Sequence, residues 1–375
     1  MSSSTSPVMR LLRRALAGLL VPLSCSPSPS QEATGDAGAR APDAAGLDAS
    51  VDAAGLDASV DASVDAPTDR ADGSETAPPA ALTCNPARVC ALSWGALRAV
   101  VDAARGGRLI EMSLDGDNAL VAESAVPSTF GSTFWTSPQA AWGWPPIMEL
   151  DSGEYTTSIQ PGRLILTSRP FMLQGRSLVV EKALSARPPN RSLRIEYTLE
   201  NAGREAIDVA PWEVSRVPPE GLVFFPDPSA GALRYPNPSW TAMPVRTENG
   251  HTFFPYDVRD IPSDRKLFAD GGEKGYLAFA RGDLLLVKSW VDVPSTARAP
   301  GEGEIEIFAN GGHTYVELEQ QGRYTTLASG QRLTFTVDWS LVRLPLKVGS
   351  ATSAVNDPSM RALLVRTAES SLPSR

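Results

Sequence analysis

From residue 107 onward, apolar and polar positions alternate in short runs, each closed by turn-forming residues. A period of two sends successive side chains to opposite faces of a strand, so each run predicts a strand with one buried face. Arg108–Leu114 alternates and ends in Asp115-Gly116, a hairpin signal. Runs at 155–159 and 164–167 flank Gln160-Pro161-Gly162-Arg163, and runs at 193–199 and 206–209 flank Glu200-Asn201-Ala202-Gly203. Runs at 276–280 and 284–290 flank Arg281-Gly282-Asp283, which reads as turn residues between two strands. Runs at 305–308, 314–318 and 333–339 complete the set, and the one helical pattern is short, near 358–367. About 270 residues of this kind predict one large antiparallel β-sandwich rather than two small domains.

Composition sets the limits of that domain. All 26 aromatic residues lie at or beyond Trp94, so the first quarter lacks the material for a core. The pattern divides the chain into a leader (1–25), an acidic Asp/Ala-rich linker (26–81), a folded domain (82–350) and a C-terminal tail (351–375). The formal net charge is −9. Residues 26–80 hold 11 acids against Arg40 and Arg70, so the folded part is nearly neutral and the acidity says little about its ligand. Nothing in this balance suits nucleic acid, which needs clustered Lys and Arg.

The leader starts with Arg10, Arg13 and Arg14, continues with an apolar stretch from Ala15 to Leu23, and reaches Cys25. The stretch is too short to span a bilayer and fits the charged and apolar regions of a secretory signal. It resembles a bacterial lipoprotein signal, which implies acylation of Cys25, a membrane anchor and export to the cell envelope, periplasmic or outer-surface. Pro22 departs from the usual Leu of that motif. Residues 43–51 and 52–60 repeat Asp-Ala-Ala-Gly-Leu-Asp-Ala-Ser-Val, which reads as a disordered, self-repelling tether. Cys84 and Cys90, six apart around Asn85-Pro86, read as a disulfide loop in an exported protein. With Cys25 lipidated, no odd thiol remains.

Several motifs in the folded part carry a resemblance. Gly106-Gly107-Arg108-Leu109 with Ser113-Leu114-Asp115-Gly116, Tyr197-Thr198-Leu199-Glu200-Asn201, and Leu318-Glu319-Gln320-Gln321 with Ser329-Gly330 resemble galactose-mutarotase-like (aldose 1-epimerase-like) domains. The segment from Trp135 to Pro146 is similar to an uncharacterised bacterial branch of that superfamily. The resemblance spans about residues 95–346. It implies a β-supersandwich with a carbohydrate-facing concave surface.

Mutarotation moves one proton off a sugar oxygen and another onto the ring oxygen, which takes a base and an acid. The family's His-Gly-Gly motif has no match here; Trp135-Thr136-Ser137-Pro138-Gln139 stands in its place. The family's acid His also lacks a match, and Glu213 is its nearest equivalent. The resemblance assigns the base to Glu319, or to Glu317 if the register differs by two. Both would share a strand face with Tyr315. The bland readings are a solvated strand face for Glu317 and Glu319, and a buried structural acid paired with an Arg such as Arg216 for Glu213.

Trp135, Trp142 and Trp144 lie within ten residues with Gln139 among them, a grouping that suits a sugar ring and its hydroxyls or, equally, a covering loop over core. Trp212 belongs with them beside Glu213. His313 stands in for the missing acid only if its turn folds over Glu317, and otherwise it and His251 are turn residues. Arg108, Lys288 and Arg323 offer charges for an acidic sugar or are surface cations. No phosphate-binding glycine loop, Ser-His-Asp spacing or zinc motif occurs, so neither cofactor nor metal is expected.

Three functions follow. A carbohydrate-binding module needs the aromatic surface and tolerates scattered acids. An epimerase needs Glu213 and Glu317 or Glu319 to converge beside Trp135 or Trp142. A structural envelope protein would have all three acids ion-paired or dispersed.

Overall fold

The computed structural model describes residues 80–187, 192–227, 233–236 and 243–373. The leader, Cys25 and nearly all of the linker lie outside the described residues. The described residues form two antiparallel sheets of eleven and ten strands packed face to face. In the eleven-stranded sheet, Arg108–Leu114 is followed in space by Ser132–Ser137, Ile207–Val217, Val316–Gln321, Ile305–Ala309 and Arg265–Ala269. In the ten-stranded sheet, Tyr276–Ser289, Arg332–Val348, Ser192–Asn201 and Arg176–Arg187 are consecutive neighbours.

The alternating runs behave as their period dictates. In Ile207–Val217, the odd positions Ile207, Val209 and Val217 enter the core shared by the sheets, while Trp212 and Val214 face away from it. Across the core, Phe134 stacks on Tyr197 with centroids 4.7 Å apart. At the hairpin after Leu114, Asp115 and Gly116 both take positive φ, 52° and 87°. That is the backbone of a tight turn whose twist matches the strands.

Three expectations change. The stretch 281–283 does not reverse the chain: Tyr276–Ser289 is one strand, with a register shift between Gly282 and Leu284. Gly282 (φ 59°) absorbs an irregularity in place of a turn. Leu222–Pro226 was not foreseen because every residue in it is apolar, as suits a strand buried on both faces, so it has no alternation to read. The reason is the third difference. Residues expected as a tail with one short helix near 358–367 form that helix, Pro358–Ser370, and a second one before it, Ala351–Asn356, and the two cover the outer face of the ten-stranded sheet. Ala354, Val355, Leu364 and Ala368 pack with Leu222, Phe224, Tyr276 and Leu285. Asp357 caps the second helix by accepting from Ser359 N (2.8 Å), with Pro358 in the first turn.

Cys84 and Cys90 face each other across the first hairpin and are joined by a disulfide.

Candidate functional site

The face of the eleven-stranded sheet turned away from the core carries a cavity of about 590 Å³. Strand pairing builds its floor. Trp212 lies opposite Trp135 on one neighbouring strand, and Arg216 lies opposite Glu317 on the other. Glu319 lies opposite Glu306. Two acids placed directly opposite repel, and Lys266 bridges them, with Nζ 2.6 Å from Glu306 and 3.2 Å from Glu319. The same ammonium sits 5.0 Å above the Trp212 ring. Arg216 donates to Glu317 (2.9 Å) and to Thr133 (2.8 Å), and its guanidinium lies 5.2 Å from the Trp135 ring.

One wall depends on glycine. Asp151 accepts from Trp135 Nε1 (3.0 Å) and from Arg108 (3.1 Å). Gly106 lets this loop approach: at φ 69°, a Cβ there would lie 2.2 Å from the Asp151 carbonyl oxygen. Arg108 is thereby buried beside Asp151 and over the Phe130 ring. Burial lowers its guanidinium to about 10, with Asp151 opposing that shift.

The tryptophans divide by position. Trp135 and Trp212 are buried and meet edge to face at 5.3 Å. Trp142 packs behind them, its Nε1 donating to the Thr136 carbonyl (2.8 Å), and does not line the cavity. Trp144 meets Trp135 edge-on at 6.3 Å and stays 73% exposed at the rim. Gln139 also lines the cavity, and its backbone N–H donates to Glu302 (2.8 Å). Asp264, Phe308, Asn310 and Tyr315 complete the rim.

The carboxyls here are not equivalent. Burial pushes the Glu319 carboxyl well above its usual range; Lys266 offsets part of that, and Glu306 and Glu317 add to it. Its Oε1 is buried without a hydrogen-bond partner. Burial, with Glu306 adding, raises Glu302 to about 7. Burial pulls Lys266 down, but Glu306 and Glu319 outweigh it and hold the ammonium charged.

Other expected residues sit elsewhere. Glu213 points the opposite way from Trp212, into the space between the sheets. It accepts from Gln320 (2.7 Å) and lies 3.5 Å from Lys288, which is itself wholly buried. The partner is a lysine of the other sheet, not Arg216, because odd positions of this strand face inward. Lys288 therefore cannot hold a sugar in the cavity, and Arg323 is exposed outside the cavity. His313 takes a positive φ of 58° in its turn, with Nε2 2.7 Å from the Ile261 carbonyl oxygen, and does not line the cavity. His251 lies on the other sheet. So Glu317 and Glu319 meet Trp135, Trp144, Trp212, Gln139 and Arg108 in one place, and Glu213, His313 and Trp142 stay out. Each of the three acids has a cationic neighbour.

Lys266, Glu306, Asp151 and Asp264 were missed. An acid inside the apolar run Ile305-Glu306-Ile307-Phe308 was the available signal. Asp270, Asp292 and Glu304 also cluster, but Arg298 already stands 2.8 Å from Asp270.

No protein-family description matches the sequence, and no curated protein matches it. Among solved structures, a putative aldose 1-epimerase from Escherichia coli K12 superposes with a TM-score of 0.50 at 14% identity, covering 70% of this chain and 100% of that one. A galactose mutarotase-like protein from Lactobacillus casei gives 0.48 at 12%, covering 68% of this chain and 100% of that one. A galactose 1-epimerase from Lactobacillus acidophilus gives 0.44 at 12%, covering 70% and 98%. Identities this low speak for architecture alone, and the architecture of this chain is the galactose-mutarotase-like, aldose 1-epimerase-like β-sandwich.

Proposed function

We propose that this is an exported, lipid-anchored carbohydrate-binding protein whose ligand occupies the cavity on the outer face of the eleven-stranded sheet. One observation carries the reading: the cavity combines an exposed Trp144 rim, a Trp135–Trp212 wall and polar groups from four strands. Sugar rings stack their C–H faces on indoles while carboxylates, amides and guanidinium groups meet the hydroxyls. Export and anchoring rest on the basic leader, its short apolar stretch and Cys25, with Cys84 and Cys90 accounted for by their disulfide. Calorimetric titration with neutral, acidic and amino sugars tests the binding reading, with tryptophan fluorescence as a second readout. Mass spectrometry of the membrane fraction tests acylation of Cys25.

A second reading, an epimerase-like proton transfer, loses Glu213 to the core and would have to work with Glu319 and Glu317 alone. A buried carboxyl with a free oxygen at a cavity wall is suited to hold and release a proton. Glu317, fixed by Arg216, would be the basic partner. Polarimetry of freshly dissolved galactose and glucose tests it: turnover lost in Glu319→Gln supports an enzyme, and an uncatalysed rate in the unaltered protein leaves a binding module.

A further inference from the structure

We propose that the cavity selects sugars bearing a free, protonated amine over neutral and acidic sugars. This deepens the carbohydrate reading above and rests on it. The cations of the lining are Arg108, Arg216 and Lys266, and each is already engaged: by Asp151 at 3.1 Å, by Glu317 at 2.9 Å, and by Glu306 and Glu319 at 2.6 and 3.2 Å. None is left over for a ligand carboxylate. Lys288 and Arg323, the other cations that suggested an acidic sugar, lie outside the cavity.

The lining holds four carboxyls, Asp151, Asp264, Glu317 and Glu319, against those three cations. Asp264 stands on the rim, its carboxylate in no ion pair among the described residues and accepting from the Gly311 N–H at 2.7 Å, while Arg265 donates to its backbone carbonyl at 2.9 Å. Glu319, wholly buried, keeps Oε1 unpartnered. An ammonium brings one positive charge and three N–H donors: it pairs with the Asp264 carboxylate and stabilises the ionised form of Glu319, which burial alone disfavours. A carboxylated sugar meets repulsion there, and an N-acetyl sugar keeps the ring but loses the charge.

The test is calorimetry on the full chain at pH 7 and low salt. The probes are glucosamine and galactosamine, their N-acetyl forms, glucose and galactose, glucuronate and galacturonate, and methylamine. The free hexosamines are expected to bind about tenfold tighter than the neutral and N-acetyl sugars, a gap that narrows with added salt. Uronates are expected to show no binding. Asp264→Asn, which keeps an oxygen for the Gly311 N–H, is expected to narrow the gap between hexosamines and their N-acetyl forms about threefold. Equal affinity for amine and N-acetyl sugars overturns the proposal and leaves the carbohydrate reading standing, as does tighter binding of uronates. Methylamine binding as tightly as hexosamines overturns it in favour of a plain cation site. No binding by any sugar removes both readings.

Discussion

Glu213 and Glu319 sit on adjacent strands, both wholly buried and both beside a lysine, yet they face opposite sides of one sheet. Glu213 points inward, where Lys288, Gln320 and the hydroxyls of Ser132 and Ser215 surround it. Glu319 points outward, where Lys266 meets one oxygen and the other has no partner. Burial raises both carboxyls. The contrast teaches that burial and a perturbed carboxyl do not identify a site; what separates the two is whether the group's bonding is complete and whether a cavity adjoins it.

The contrast is easiest to break at the inner acid. Glu213→Ala leaves Lys288 buried without its counter-charge, and a loss of about 3–5 kcal/mol in denaturant melts is expected. Replacing both members, Glu213→Leu with Lys288→Met, should recover most of it. At the rim, Trp144→Ala removes a mostly exposed ring, so stability should stay within about 0.5 kcal/mol. Sugar affinity in the same variant should fall about tenfold, equal to about 1.4 kcal/mol. Glu319→Gln keeps the volume and leaves Lys266 its contact with Glu306, so a stability change under about 1 kcal/mol is expected. A cost equal to that of Glu213→Ala would remove the distinction between the two acids.

The smallest effect is a pH dependence. Glu302 titrates near 7 in the fold against 4.5 as the ordinary value, so the folded state holds the extra proton between those limits. Stability from this group is full below 4.5 and falls as pH rises to 7. Because Glu302 keeps some solvent contact, the fall should be about 1 kcal/mol or less. Melts of Glu302→Gln should lack that component.

The fold was legible where apolar and polar residues alternate along the chain. Val316–Gln321 alternates in sequence although all of it is buried, and Tyr315, Glu317 and Glu319 share one side as the period required. Where both faces are covered, as at Leu222–Pro226 beneath the C-terminal helices, no alternation exists to read. The floor of the cavity was half legible. Its acids stand out in apolar runs, but that Glu306 faces Glu319 depends on the register of two consecutive strands, and that Lys266 bridges them depends on a third strand about 40 residues earlier. Glu213 shows the converse: an acid among apolar neighbours marks burial, and only its position parity says which side it is buried on.

The central claim is that the outer cavity, not the polar interior, binds sugar. Calorimetric titration of the unaltered protein, Trp144→Ala and the Glu213→Leu/Lys288→Met double variant with the full sugar set tests it most directly. A saturable signal that Trp144→Ala weakens and the double variant retains is expected. No saturable signal from any neutral, acidic or amino sugar, or a signal indifferent to Trp144, would contradict it.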